Sequence, residues 1–130
     1  MKPSMNQNHT ENSIRVLLVE DEPLWQEGVR ALLSDEPHFE LVGLATSYES
    51  AIDAFQQVNP QLVLLDWKIQ GVKDGLEAGQ FFLNHGLAPE NIILISSSPA
   101  STIPAHPFLH IPKNRLADDL LPALLTVAVH

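Results

Sequence analysis

Four largely apolar runs in this chain each end on a polar or charged residue, and that narrows its possible folds more than any other feature. Glu20 and Asp21 follow Ile14–Val19, Asp66 follows residues 62–65, Ser96 closes residues 92–95, and Lys113 closes residues 108–112. In an open parallel α/β sheet the C-terminal strand ends share one edge, and ligands bind in the crevice outside it. On that architecture all five groups meet in one pocket, although they lie far apart in sequence. Three clustered carboxylates repel one another unless a hard divalent cation sits between them, and oxygen-only ligation suits Mg²⁺. The lysine and the hydroxyl would face an anion beside the metal. Such an inventory points to an aspartate that accepts a phosphoryl group.

The rest of the sequence supplies the alternation that this sheet requires. Residues 14–19 form an apolar run rich in branched side chains, as expected of a strand buried on both faces. Pro23 suits the first turn of a helix whose Leu24, Val29, Leu32 and Leu33 recur at helical spacing. A second strand fits residues 39–45, and Ser47 can cap a helix that runs through Val58 and stops at Asn59 and Pro60. Residues 61–66 make a third strand. Asp74 can cap a helix containing Leu76, Phe81, Phe82 and Leu83, with a stop at Gly86. Residues 92–96 and 108–111 supply the fourth and fifth strands. Pro122 would break a helix that began directly after Lys113, so the spacing predicts a start near Asp118 or Asp119, with the proline in the first turn. Alternation of this kind predicts a parallel sheet with helices on both faces.

Composition bounds the function. At 130 residues the chain suits one domain large enough to bury a core. Its 16 acidic residues against 7 basic ones give a formal charge of −9, which argues against a general attraction to DNA, RNA or anionic lipid. Lacking cysteine, it can form neither a disulfide framework nor a thiolate metal site. No apolar stretch approaches the ~20 residues that span a bilayer. Residues 1–13 are polar, without an apolar signal core, and read as a disordered leader of a cytoplasmic protein, followed by one domain over residues 14–130.

From Ile14 to the end, the chain resembles a response-regulator receiver domain of two-component signalling. The resemblance rests on LLVEDE at 17–22, LVLLDW at 62–67, DGLE at 74–77, ILIS at 93–96 and PK at 112–113. Their order and spacing carry it, since no single piece is specific. It implies a flavodoxin-like, doubly wound, five-stranded parallel sheet in the order 2-1-3-4-5. By position it implies Asp66 as phosphoacceptor, Asp21 as a direct Mg²⁺ ligand, Glu20 as a ligand through water and the backbone carbonyl of Lys68 as a further ligand. Ser96 becomes the switch hydroxyl and Lys113 the lysine that pairs with the phosphoryl group. The implied donor is a phosphohistidine on a sensor histidine kinase or a histidine phosphotransfer protein.

Two stretches depart from the family pattern. The connection SSPASTIPAHP after the fourth strand carries prolines at 99, 104 and 107, so the usual fourth helix is expected to be short or replaced by a loop. His110 stands where many receivers carry a switching tyrosine or phenylalanine, and an imidazole can titrate near neutrality. The loop WKIQGVKDG after Asp66 is one residue longer than the commonest spacing and lacks its proline. Lys68 within it could stand over a phosphoryl group, obstruct an attacking water and lengthen the phosphorylated lifetime.

Each group alone has an ordinary reading. Glu20 to Glu22 could be a solvated acidic first turn, Asp66 a strand-end cap, Ser96 a loop residue and Lys113 a surface lysine. Strand-end placement of all of them favours a shared pocket. His106 and His110 do not make a zinc site. Trp67 is either a half-exposed reporter beside Asp66 or plain packing. The leading expectation is a stand-alone, monomeric phosphoacceptor, not an enzyme beyond self-phosphorylation and slow self-dephosphorylation, that signals by binding an unidentified downstream protein. A receiver-like scaffold independent of phosphate is the alternative, and a small Mg²⁺-dependent phosphohydrolase a more distant one.

Overall fold

Side chains on opposite faces of the first strand enter two separate apolar clusters, and that division organises the whole domain. The computed structural model describes residues 13–128. Strands β1 (Ile14–Val19), β2 (Phe39–Ala45), β3 (Leu62–Asp66), β4 (Ile92–Ser96) and β5 (Leu109–Pro112) form one parallel sheet in the order β2-β1-β3-β4-β5. Helices α1 (Pro23–Ser34) and α4 (Leu116–Ala128) cover one face, and α2 (Tyr48–Val58) and α3 (Gly75–Asn84) the other. Val16 and Leu18 pack with Val29, Leu33, Leu120 and Leu124. Leu17 and Val19 pack with Ala51, Phe55, Ala78 and Phe82. All four apolar residues of β3 are fully buried, which is why that run lacks the alternation of a half-exposed strand. The expected flavodoxin-like order is the observed one.

Helix starts follow the residues that mark them. Ser47 accepts a hydrogen bond from Ser50 N at 3.1 Å and Ser50 Oγ accepts one from Ser47 N at 3.0 Å, closing a capping box on α2. Asp74 and Glu77 do the same for α3. The end of α2 is set by Asn59, whose φ of 48° is left-handed.

The last helix corrects the sequence reading. It does not begin near Asp118 or Asp119, because a 3₁₀ turn over Lys113–Arg115 runs directly into α4, and Pro122 lies inside the helix. Leu116, Leu120 and Leu124, one turn apart, are all buried in the core. Burying each contributes about 1.5–3 kcal/mol, together more than the ~3 kcal/mol that an interior proline costs. Pro122 itself is exposed on the outer side, so its ring does not intrude on the core. The expected leader over residues 1–13 lies outside the described residues apart from Ser13, whose hydroxyl donates to Pro37 O at 3.0 Å.

Between β4 and β5 the crossover is, as expected, a loop with one 3₁₀ turn, Ala100–Thr102. Phe108 fills the space beneath it and rests on α3. A Cβ at Gly79 would lie 2.9 Å from the Phe108 ring, and one at Gly75 would lie 1.9 Å from the backbone oxygen of Asp66. Both glycines allow α3 to sit against the sheet, and Gly75 allows its first turn to touch the end of β3. Gly75→Ala should therefore cost about 3 kcal/mol or more and Gly79→Ala about 1–2 kcal/mol, the former meeting rigid backbone and the latter a ring that can tilt. Urea midpoints with an unchanged slope would check both values.

Candidate functional site

At the C-terminal edge of the sheet the strand ends deliver the predicted groups to one place. Glu20, next after β1, and Asp66, the last residue of β3, are buried, as are Ser96 at the end of β4 and Lys113 after β5. The register that pairs Asp66 with Ile95 and Ser96 with Pro112 brings them level. Carboxylate oxygens of Glu20, Asp21 and Asp66 lie within 4.8 Å of one another. Lys113 Nζ reaches Glu20 Oε1 at 2.8 Å and donates to Asp66 Oδ2 at 3.1 Å. A cavity of about 440 Å³ opens over Asp21, Asp66, Ser96 and Lys113, lined also by Ser97, Ser98 and Lys68.

Charge and burial oppose one another in this cluster. Burial pushes the Glu20 carboxyl above its ordinary 4.5, with the charge of Asp66 adding to it, and Lys113 only partly offsets the shift. Burial likewise raises Asp66 from its ordinary 3.8 against the opposing pull of Lys113. For Lys113, burial disfavours the charge, but Glu20 and Asp66 outweigh it and hold the ammonium above 10.5. Three carboxylates stand against the Lys113 ammonium, and Glu20 Oε1, fully buried, has no donor among the described residues aligned on it as a hydrogen bond. An all-oxygen set with residual negative charge fits a hard divalent cation such as Mg²⁺.

The remaining candidates are placed less centrally. Ser96 Oγ accepts from Ser98 N at 2.9 Å, which leaves the hydroxyl proton available to the cavity. Lys68 is exposed, and its ammonium stands 5.0 Å from the centre of the Trp67 ring rather than against a carboxylate. Trp67 is half-buried and donates to Asp74 Oδ2 at 3.1 Å. His110 is half-buried, its Nε2 has no hydrogen-bond partner among the described residues, and burial followed by the proximity of His106 lowers its affinity for a proton. Sequence reasoning missed three contributors on or before α1. Glu22 N donates to Glu20 Oε2 at 3.0 Å, Gln26 donates to Glu20 O at 2.8 Å, and Trp25 places its ring centre 5.3 Å from Lys113 Nζ. Their proximity to Glu20 in the chain was the available signal.

This fold and acidic edge define a doubly wound domain with a carboxylate and lysine site at its strand ends. The family model for the response regulator receiver domain matches residues 16–106, so the chain belongs to that family. It is 35% identical to the transcriptional regulatory protein DegU of Brevibacillus brevis over 74 residues, covering 57% of this chain and 31% of that protein. With the transcriptional regulatory protein MctR of Rhizobium johnstonii it shares 28% identity over 120 residues, covering 88% of this chain and 55% of the relative. The chain thus spans from about a third to just over half the length of these relatives. Among solved structures, the signal receiver domain of NarL from Mycobacterium tuberculosis superposes with a TM-score of 0.76 at 26% identity, covering 90% of this chain and 97% of that one. No helix among the described residues is long and apolar enough to cross a membrane.

At pH values between the ordinary carboxyl range and their raised values, the metal-free folded protein retains protons on Glu20 and Asp66 that the unfolded chain loses. Its stability should therefore fall as pH rises from the ordinary carboxyl range through their raised values. Asp66→Asn should flatten that decline in melts with chelator present. Lys113→Ala leaves two buried carboxylates unpaired and should cost about 3–5 kcal/mol at neutral pH, with less loss in acid, measured by urea unfolding.

Proposed function

We propose that this receiver domain accepts a phosphoryl group from a phosphohistidine onto Asp66 and passes the change on by protein contact. The observation that carries the reading is the buried Asp66 carboxylate, facing a cavity with Asp21 and Ser96 while Lys113 donates to it. Asp21, Asp66 and the backbone carbonyl of Lys68 would hold Mg²⁺, with Glu20 acting through water. When bound, the cation would offset the charge of an anionic donor and orient its oxygens.

Phosphorus is attacked by an Asp66 carboxylate oxygen as the P–N bond to the donor imidazole breaks, a reaction that needs positioning more than acid or base chemistry. The added phosphoryl oxygens accept from Lys113 and from the Ser96 hydroxyl. Movement of these two groups would shift the ends of β4 and β5, where His110 sits one strand from Leu94. His110 is the residue expected to answer that shift. The donor is a sensor histidine kinase or a histidine phosphotransfer protein, and the receiver acts as a cytoplasmic monomer. Turnover on an external substrate is not part of this reading, nor is nucleic-acid contact by this acidic stretch. A phosphate-independent scaffold is the second reading, favoured by the missing β4–β5 helix, where receivers usually display a signalling surface.

Beryllofluoride with Mg²⁺, followed by tryptophan fluorescence, separates the two. A saturable, Mg²⁺-dependent change lost in Asp66→Asn is the outcome for a phosphoacceptor, whereas a scaffold gives none. Mg²⁺ at about one hundred times its Kd should add about 2.7 kcal/mol of stability. For the acyl phosphate itself, Lys68→Ala should shorten the half-life about 2- to 5-fold, the scale of an exposed charge pair. A longer half-life would remove Lys68 from the role assigned to it.

A further inference from the structure

We propose that Trp25 is a positioning residue for Lys113, its ring acting as an uncharged wall that keeps the ammonium turned toward Asp66. The inference rests on the phosphoacceptor reading and adds a residue to it. Lys113 has a side chain only 4% exposed, so the ammonium has lost most of its water and needs other partners on every side. Glu20 Oε1 stands at 2.8 Å, Asp66 Oδ2 at 3.1 Å and Glu22 Oε1 at 3.6 Å. Of these, the Asp66 contact has hydrogen-bond geometry, Glu20 Oε1 has no aligned donor, and Glu22 is 61% exposed. The indole of Trp25, centred 5.3 Å away, supplies a further side. A desolvated cation is attracted to such a ring face.

The ring is held by packing on one side and borders open space on another. Trp25 lies in the first turn of α1 and packs against the apolar cluster around Val29 and Leu33. It also lines a second cavity of about 340 Å³, bounded by Pro99, Ala100, Pro112 and Asn114. That cavity adjoins the phosphoacceptor cavity, sharing Ser96, Ser97, Ser98 and Lys113 with it. The β4–β5 crossover supplies only a 3₁₀ turn on this side. A smaller aliphatic side chain at position 25 would widen the opening, admit water to the ammonium and free it to lean away from Asp66 toward the exposed Glu22.

The competing explanation is that Trp25 only packs, and Trp25→Leu against Trp25→Phe distinguishes them, since leucine keeps an apolar side chain and phenylalanine keeps a π face. Phosphoramidate with Mg²⁺ serves as donor and the phosphorylated fraction is read by intact mass. Trp25→Leu should be labelled about 3- to 10-fold more slowly than the parent and Trp25→Phe within about 2-fold. In parallel, the Lys113 side-chain resonances should lose their ring-current shift in Trp25→Leu and keep part of it in Trp25→Phe. Trp25→Met replaces the leucine variant if the latter unfolds. Equal rates for the leucine and phenylalanine variants, or Lys113 resonances that do not respond, would overturn the inference. If the parent itself is not labelled, the phosphoacceptor reading fails; exchange of the Lys113 ammonium protons with water, faster in Trp25→Leu than in the parent and Trp25→Phe if the ring shields the ammonium and equal in all three if it does not, then decides the inference.

Discussion

The ammonium of Lys113 is the point on which the strand-end edge depends. It reaches that edge because β5 pairs in parallel with β4, and it joins Glu20 from the end of β1 to Asp66 from the end of β3. Two buried carboxylates side by side would otherwise repel each other in a region with little water. A buried ion pair gives weak net stability because desolvation opposes attraction, but removing one partner is costly. The cluster is therefore better understood as a poised charge arrangement than as a source of stability. Its residual negative charge explains why an all-oxygen cation site suits it, and its buried lysine why an incoming anion would have a partner already in place.

Packing holds this charge arrangement in shape from below. Apolar from Leu62 to Leu65, β3 gives the sheet a centre with no polar side chain to satisfy, and the strand's first polar side chain is Asp66. On the α3 side, Gly75 and Gly79 permit contacts that any larger residue would push apart, so the helix that follows β3 also limits how that strand's end can move. The longer loop after Asp66 is fastened rather than free, with Gln70 N donating to Thr46 O at 3.3 Å and Tyr48 N to Gln70 O at 3.0 Å. These bonds tie the loop after β3 to the start of α2, as strand pairing ties β3 to β4 and β4 to β5.

Loss of the β4–β5 helix changes what the domain can display. Phe108 covers the interior that such a helix would protect, stacked on His106 and seated on Gly79. What is left on that side is a cavity reaching Lys113 and a histidine nitrogen without a hydrogen-bond partner among the described residues. The cavity is bounded by Ser97, Ser98, Pro99 and Ala100 of the proline-rich segment, which was legible in the sequence because proline's missing donor restricts helices wherever it occurs.

By itself the sequence determined the order of strands and helices, the helix caps at Ser47 and Asp74, and the strand-end positions of Glu20, Asp21, Asp66, Ser96 and Lys113. These follow from local periodicity and local hydrogen bonding, which nearby residues decide. Tertiary structure alone decided that α4 tolerates Pro122, because the burial of Leu116, Leu120 and Leu124 outweighs one lost backbone bond. It also decided that Trp25 and Glu22 stand around Lys113 and that Lys68 rests over Trp67 instead of a carboxylate. Contacts of that kind depend on which side chains meet across a sheet edge, and neither spacing nor composition encodes a distance between residues 88 positions apart in the chain, as Trp25 and Lys113 are.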